Sequence, residues 1–236
     1  MARFARVVAV DARRHITQRG NARQVVFEGD ADRLVYLRLL RQHCRLGRLK
    51  LLGYCLMSNH VHLIATPTRA ESMLLALKHT HERYAGYFNA RHASSGHVWQ
   101  GRFYSCPLDR GRLWTALRYI ELNPVRAEMV AEPDQYPWSS AAAHCAAGRP
   151  DAGLEMHPWQ GAWDAPRWRE YLHATGTGAD AETIRRSTHT GRPLGAADFV
   201  ADLERTLRRP LAAQKGGRRP NKGPDERQRA LAFDPL

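Results

Sequence analysis

Two apolar segments, Leu49 to Met57 and His60 to Thr66, are separated only by Ser58-Asn59. So short a break leaves little room for anything but an antiparallel hairpin, even without the favoured turn glycine. On both sides of the hairpin the apolar period changes from two to three or four. From Asp30 to Arg45 the residues Leu34, Leu37, Leu40 and Cys44 share a face, with Asp30 as a cap and Gly47 just beyond the end, which predicts a helix. From Arg69 to about Arg91, Met73, Leu77, Tyr84 and Phe88 line one side while Lys78, Arg83 and Arg91 fall elsewhere, an amphipathic helix. Beyond these helices lie two further strands, Val7 to Thr17 before the turn Arg19-Gly20-Asn21, and Val98 to Cys106. After Pro107, Leu113, Leu117 and Ile120 define a helix reaching Asn123, where Pro124 restricts continuation. The order strand, helix, strand, strand, helix, strand, helix is that of a split βαβ unit. The expected class is α+β, a ferredoxin-like antiparallel sheet with helices packed on one face.

The composition changes past Ala146 to Gly, Pro, Ala and charge, with helical candidates at Pro166 to His173, Ala179 to Arg186 and Ala196 to Arg208. We expect three parts: a domain over residues 1–145, a helical extension over 146–209 and a basic, disordered tail over 210–236. Between Arg205 and Arg229 there are nine basic and two acidic residues, Arg218 and Arg219 among them. Such a run suits a polyanion, a solvated tail being the plainer alternative. The whole chain carries 36 Lys+Arg against 23 Asp+Glu, a net charge of +13. An anionic partner is therefore expected, and all but four of the 36 are arginine, whose planar fork matches phosphate bidentately. Cys44, Cys55, Cys106 and Cys145 are far apart with no C-x-x-C pair. This argues against a structural zinc or a disulfide scaffold and favours a reducing compartment, the cytoplasm. No stretch approaches the roughly 18 apolar residues of a membrane span, and the N-terminus lacks the pattern of an export signal.

His60-Val61-His62 is the most informative triplet. Residues two apart on a strand point the same way, so both imidazoles can meet one divalent ion; the plainer reading is a solvent-facing pair. His79-Thr80-His81 has the same spacing inside a helix, where the side chains diverge by about 200°. Tyr119 and Asn123 stand at i and i+4 on the helix after the fourth strand, so a phenol and an amide oxygen share a side. The alternative makes Tyr119 a core-margin residue and Asn123 a helix end. Taken together, a metal that polarises a phosphate oxygen and a tyrosine that displaces O3′ amount to phosphoryl transfer through a phosphotyrosine. No G-x-x-x-x-G-K-[ST] and no paired-carboxylate motif occurs, so neither a P-loop nor a carboxylate nuclease is expected. Trp99 and Phe103 suit core packing better than base stacking. Arg14, Arg19, Arg23 and Arg102 are candidate phosphate contacts.

Five collinear blocks carry a family resemblance: His15-Ile16-Thr17-Gln18-Arg19-Gly20-Asn21, Met57-Ser58-Asn59-His60-Val61-His62-Leu63-Ile64, His97-Val98-Trp99-Gln100-Gly101-Arg102-Phe103, Tyr119-Ile120-Glu121-Leu122-Asn123-Pro124-Val125-Arg126-Ala127 and Tyr136-Pro137-Trp138-Ser139-Ser140. Over about residues 5–145 the chain resembles the single-tyrosine HUH transposases associated with repetitive extragenic palindromes (REP). Its Arg185-Arg186 and Thr190-Gly191-Arg192-Pro193-Leu194-Gly195 are similar to the tails of longer members. The resemblance implies an HUH nuclease fold that acts on single-stranded DNA beside a hairpin with Mg²⁺ or Mn²⁺, as monomer or homodimer. It also implies His60 and His62 as metal ligands, Tyr119 as nucleophile and Asn123 as the residue that can complete the metal site. Two departures stand out. Tyr104 occupies a position where relatives carry a basic residue, which makes it a rival nucleophile, and Glu128 replaces a usual glycine. A catalytically silent DNA-binding regulator is the alternative from another class.

Overall fold

The structure is a computed structural model that describes residues 7–146, 151–174 and 178–211. The chain runs β1 (Arg13–Arg19), α1 (Asp30–Leu46), β2 (Leu49–Leu56), β3 (His60–Pro67), α2 (Ser72–Arg91), β4 (Tyr104–Leu108) and α3 (Arg110–Glu121), the order read from the sequence. It continues through α4 (Asn123–Arg126), α5 (Ala141–His144), α6 (His157–Gln160), α7 (Ala165–His173), α8 (Gly178–Thr190) and α9 (Ala197–Leu207). The four strands form one antiparallel sheet in the order β2-β3-β1-β4, the ferredoxin-like arrangement.

Local chemistry sets the helix ends. The Asp32 carboxylate accepts from the backbone N–H of Glu28 and Gly29 ahead of α1, Asp109 accepts from Arg112 N at the start of α3, and Asp164 accepts from Arg167 N at the start of α7. Each satisfies a donor that the first turn leaves without an intrahelical partner. Glu128, the residue in place of glycine, has φ 56°, a left-handed conformation that explains why glycine is at ease there.

The alternation along the strands divides the interior in two. Ile16, Val61, Leu63 and Ala65 pack with α1 and α2 on one face, so the two crossover helices share a face. Cys55, Ile64, Cys106 and Leu108 face α3 on the other, where Trp159, Trp168, Leu172 and Ile184 of the C-terminal region complete the same core. Gly53 lies in a β2 irregularity beneath α3, and a methyl group there would overlap Leu117 Cδ1. Gly53→Ala should therefore cost about 1–3 kcal/mol by overpacking, read from the denaturant midpoint. An unchanged midpoint would mean that α3 does not bear on the sheet at this point.

Two strand boundaries differ from expectation. β1 begins at Arg13 rather than Val7, because Asp11 turns the chain with φ 58° and Val7 and Ala9 are buried against Leu203 and Leu211. β4 begins at Tyr104 rather than Val98. Gly101 with φ 136° interrupts the preceding segment, and the strand runs through Pro107, which β4 tolerates as the edge of the sheet. The outer side of that edge is occupied by Leu194, whose N–H donates to Pro107 O. α2 starts at Ser72, three residues later than expected. Among the described residues no helix is long and apolar enough to cross a membrane, and the four cysteines are free and buried.

Candidate active site

On the α3 side of the sheet, β1, β3 and β4 present His15, Thr17, His60, His62 and Tyr104 to one cavity of about 530 Å³. Tyr119 and Asn123 enter it from α3 and α4, and Arg185, Thr188 and His189 from α8. The register explains the grouping: Thr17 pairs with His62 on one side and with Tyr104 on the other. His60 and His62 thus share a face, with ring centroids 4.9 Å apart. The His79/His81 pair does diverge. His81 is buried on Tyr36 Oη at 3.1 Å, whereas His79 stands outside beside Glu82.

Each strand histidine has Nδ1 occupied by the protein. His60 Nδ1 donates to Asn59 Oδ1 at 2.7 Å, and that amide is oriented by its own donation to Arg23 O. His62 Nδ1 lies 2.9 Å from His15 Nε2. Burial, reinforced by the Arg19 charge, pulls His60 down to about 4. Burial first, then the neighbouring His15, His60, Arg19 and Arg126, lowers His62 strongly, and burial alone brings His15 to about 3. Near pH 7 all three imidazoles are neutral, as a metal ligand must be.

Tyr119 is buried between rings and cations. Its ring meets His62 edge-on at 5.6 Å and His15 at 5.8 Å. The Arg126 guanidinium covers it at 4.7 Å, and Arg185 Nε donates to its hydroxyl at 3.2 Å. Asn123 follows a slight break at Leu122, whose αR conformation carries the turn onward, so the i+4 relation to Tyr119 holds. Its Oδ1 accepts from Arg126 at 2.7 Å, while its buried Nδ2 has no hydrogen-bond partner.

The donors available to an ion are therefore the second ring nitrogens of His60 and His62 and the remaining lone pair of Asn123 Oδ1. Among the described residues there is no group of three or more His, Cys, Asp or Glu arranged to hold a metal. This set fits a hard divalent ion that keeps water and substrate oxygens for its other positions.

Other expected contacts divide. Arg19 and Arg23 are exposed at the cavity rim. Arg14 is fully buried on the opposite face beside Ser105 Oγ, so it does not present itself to phosphate. That is a correction, and it follows from strand alternation: Arg14 and His15 must point to opposite sides. Arg102 lines a separate cavity with Trp99 and Phe103; both aromatics are buried, and Trp99 Nε1 donates to His81 O, in keeping with core packing. Arg218 and Arg219 lie outside the described residues. The rival Tyr104 does reach the cavity, but its ring stacks on His189 at 4.6 Å. Sequence reasoning gave no role to His15, Arg126, Arg185 or Thr188. The signals were at hand in the first of the five blocks, in the i+3 spacing of Arg126 from Asn123, and in the Arg185-Arg186 pair.

Comparison with known proteins bears on the family and on the fold. Residues 9–123 match the family model described as transposase IS200 like. A solved structure of a REP-associated tyrosine transposase bound to a REP hairpin is 17% identical, with a TM-score of 0.52, over 76% of this chain and 96% of that one. A provisional transposase of Deinococcus radiodurans R1 aligns at 19% identity over 51% of this chain and 96% of that one, with a TM-score of 0.34, too low to argue from. No curated protein matches the sequence. Residues 9–123, the stretch that is similar to the IS200-like transposases, hold His60, His62, Tyr119 and Asn123 of the cavity.

Proposed function

We propose that the protein is a single-tyrosine HUH transposase, an endonuclease and strand transferase acting on single-stranded DNA next to a hairpin, with Mg²⁺ or Mn²⁺ held by His60, His62 and Asn123. The observation that carries this reading is the convergence of Tyr119 with both strand histidines in one cavity rimmed by arginines. A hairpin-bearing substrate is supported by the REP hairpin bound to the solved relative.

A divalent ion bound to this donor set would polarise a phosphate oxygen and make the phosphorus more electrophilic. The chain's own residues supply the rest. Tyr119 Oη attacks the phosphorus, an O–P bond to the 5′-phosphate forms, and the P–O3′ bond breaks. The phenolic proton is lost to solvent and the departing O3′ takes one up. Arg185, already donating to Tyr119 Oη, places positive charge where the attacking oxygen carries negative charge. Arg19 and Arg23 at the rim suit the flanking phosphates. Because the phosphotyrosine keeps the energy of the broken phosphodiester, a new 3′-hydroxyl can attack it and release Tyr119 without ATP.

The test is incubation with labelled hairpin oligonucleotides from repeats flanking the gene, in Mg²⁺, in Mn²⁺ and in EDTA, followed by denaturing gels. Protein-linked DNA is expected with either ion and none with EDTA. Tight binding that never becomes covalent under any of these conditions would replace this reading with that of a silent DNA-binding regulator.

A further inference from the structure

Helix α8 lies outside residues 9–123 of the family match, yet it lines the cavity with Arg185, Thr188 and His189. Thr188 is 2% exposed and His15 1% exposed, so no solvent intervenes between them. The hydrogen bonds form a chain whose direction can be read from one end. Thr188 Oγ1 lies 2.7 Å from Ile184 O, and a carbonyl can only accept, so the hydroxyl proton is spent there. Towards His15 Nδ1, at 2.6 Å, Thr188 must therefore act as acceptor. Cys106 Sγ, 3.3 Å from the same oxygen, is placed to be a second donor. His15 then carries its proton on Nδ1 and offers a bare Nε2. That nitrogen is 2.9 Å from His62 Nδ1, a contact that holds one proton, and the only proton left for it is the one on His62.

We infer that Thr188 is a positioning residue that acts through His15 to fix His62 as its Nδ1–H tautomer, leaving Nε2 bare for an ion in the cavity. His60 reaches the same state by a different route, through Asn59 Oδ1. The relay rests on the functional reading above only in naming what the bare nitrogen is for. Outer partners of this kind set the orientation and tautomer of metal-binding histidines, and their loss typically weakens binding about 10–100-fold.

Replacing Thr188 by Val removes the acceptor while keeping the volume. His15 Nδ1–H would be stranded in the core, so its proton moves to Nε2 and donates to His62 Nδ1, and the His62 proton moves to Nε2. Long-range ¹H–¹⁵N spectra of the metal-free, full-length chain with labelled histidine report both tautomers. Wild type and Thr188→Ser, which keeps the hydroxyl, should show His62 protonated on Nδ1; Thr188→Val should show it on Nε2, with Mn²⁺ affinity lower by about 10–100-fold. An Nε2–H His62 in the wild type, or a Thr188→Val protein whose tautomer is unchanged, overturns the relay. If the tautomers change as stated but no variant binds Mn²⁺, the relay stands and the metal-dependent function fails.

Discussion

Tyr119→Phe is expected to abolish protein-linked DNA, a loss of at least roughly 10³-fold, since removing a nucleophile removes the covalent route altogether. The substitution deletes one oxygen. Its ring remains edge-on to His62 and His15 and under Arg126, so folding and hairpin binding should persist and the loss is one of chemistry. The informative control is Tyr104→Phe. Tyr104 lines the same cavity, so proximity alone does not dismiss it, but it is stacked on His189, whereas the Tyr119 hydroxyl receives a guanidinium donor. Adducts should survive in Tyr104→Phe. If they vanish there and persist in Tyr119→Phe, the assignment of the nucleophile is wrong even though the family resemblance stands.

The second large effect concerns stability. Glu121, next but one after Tyr119, is completely buried and accepts from Ser140 Oγ at 2.6 Å, His144 Nδ1 at 2.6 Å and Trp168 Nε1 at 2.9 Å. One carboxylate thus ties α3 to the segment before α5, to α5 and to α7. Glu121→Ala strands three buried donors and opens a cavity, which should cost about 3–5 kcal/mol and lower Tm by roughly 10 °C. Glu121→Gln keeps the volume but turns an amide N–H₂ towards at least one of those donors, so it should also destabilise, by less. Thermal denaturation followed by circular dichroism decides. A Tm within a degree or two of wild type for Glu121→Ala would mean that the carboxylate is not the tie it appears in the structure.

What could be read from the sequence was local. The hairpin at Ser58-Asn59 and the faces of α1 and α2 follow from spacing within a few residues, and so does the shared face of His60 and His62. Tyr119 and Asn123 are one helical turn apart, and the structure brings them into the histidines' cavity. What escaped depended on distant chain. Val7 and Ala9 look like strand residues, but they are buried against α9 and a residue just past it. Pro107 looks like a strand terminator, and only the sheet order shows β4 to be an edge that admits it. His15 meets Thr188 across 173 positions, and Arg185 meets Tyr119 across 66; no periodicity reports such a contact. Arg14 was misjudged because arginine was read as surface, although strand parity already opposed it to His15.

The span between Tyr119 and Arg185 also has a consequence in time. A ribosome adding about 5–20 residues per second needs roughly 3–13 s to pass from Tyr119 to Arg185. During that interval the nascent chain already contains the histidines and the tyrosine but not the helix that closes around them. Synthesis itself therefore delays the completed cavity until most of the extension has been made, and a message broken between codons 123 and 185 yields a product with His60, His62, Tyr119 and Asn123 but without the helix that lines the cavity beside them.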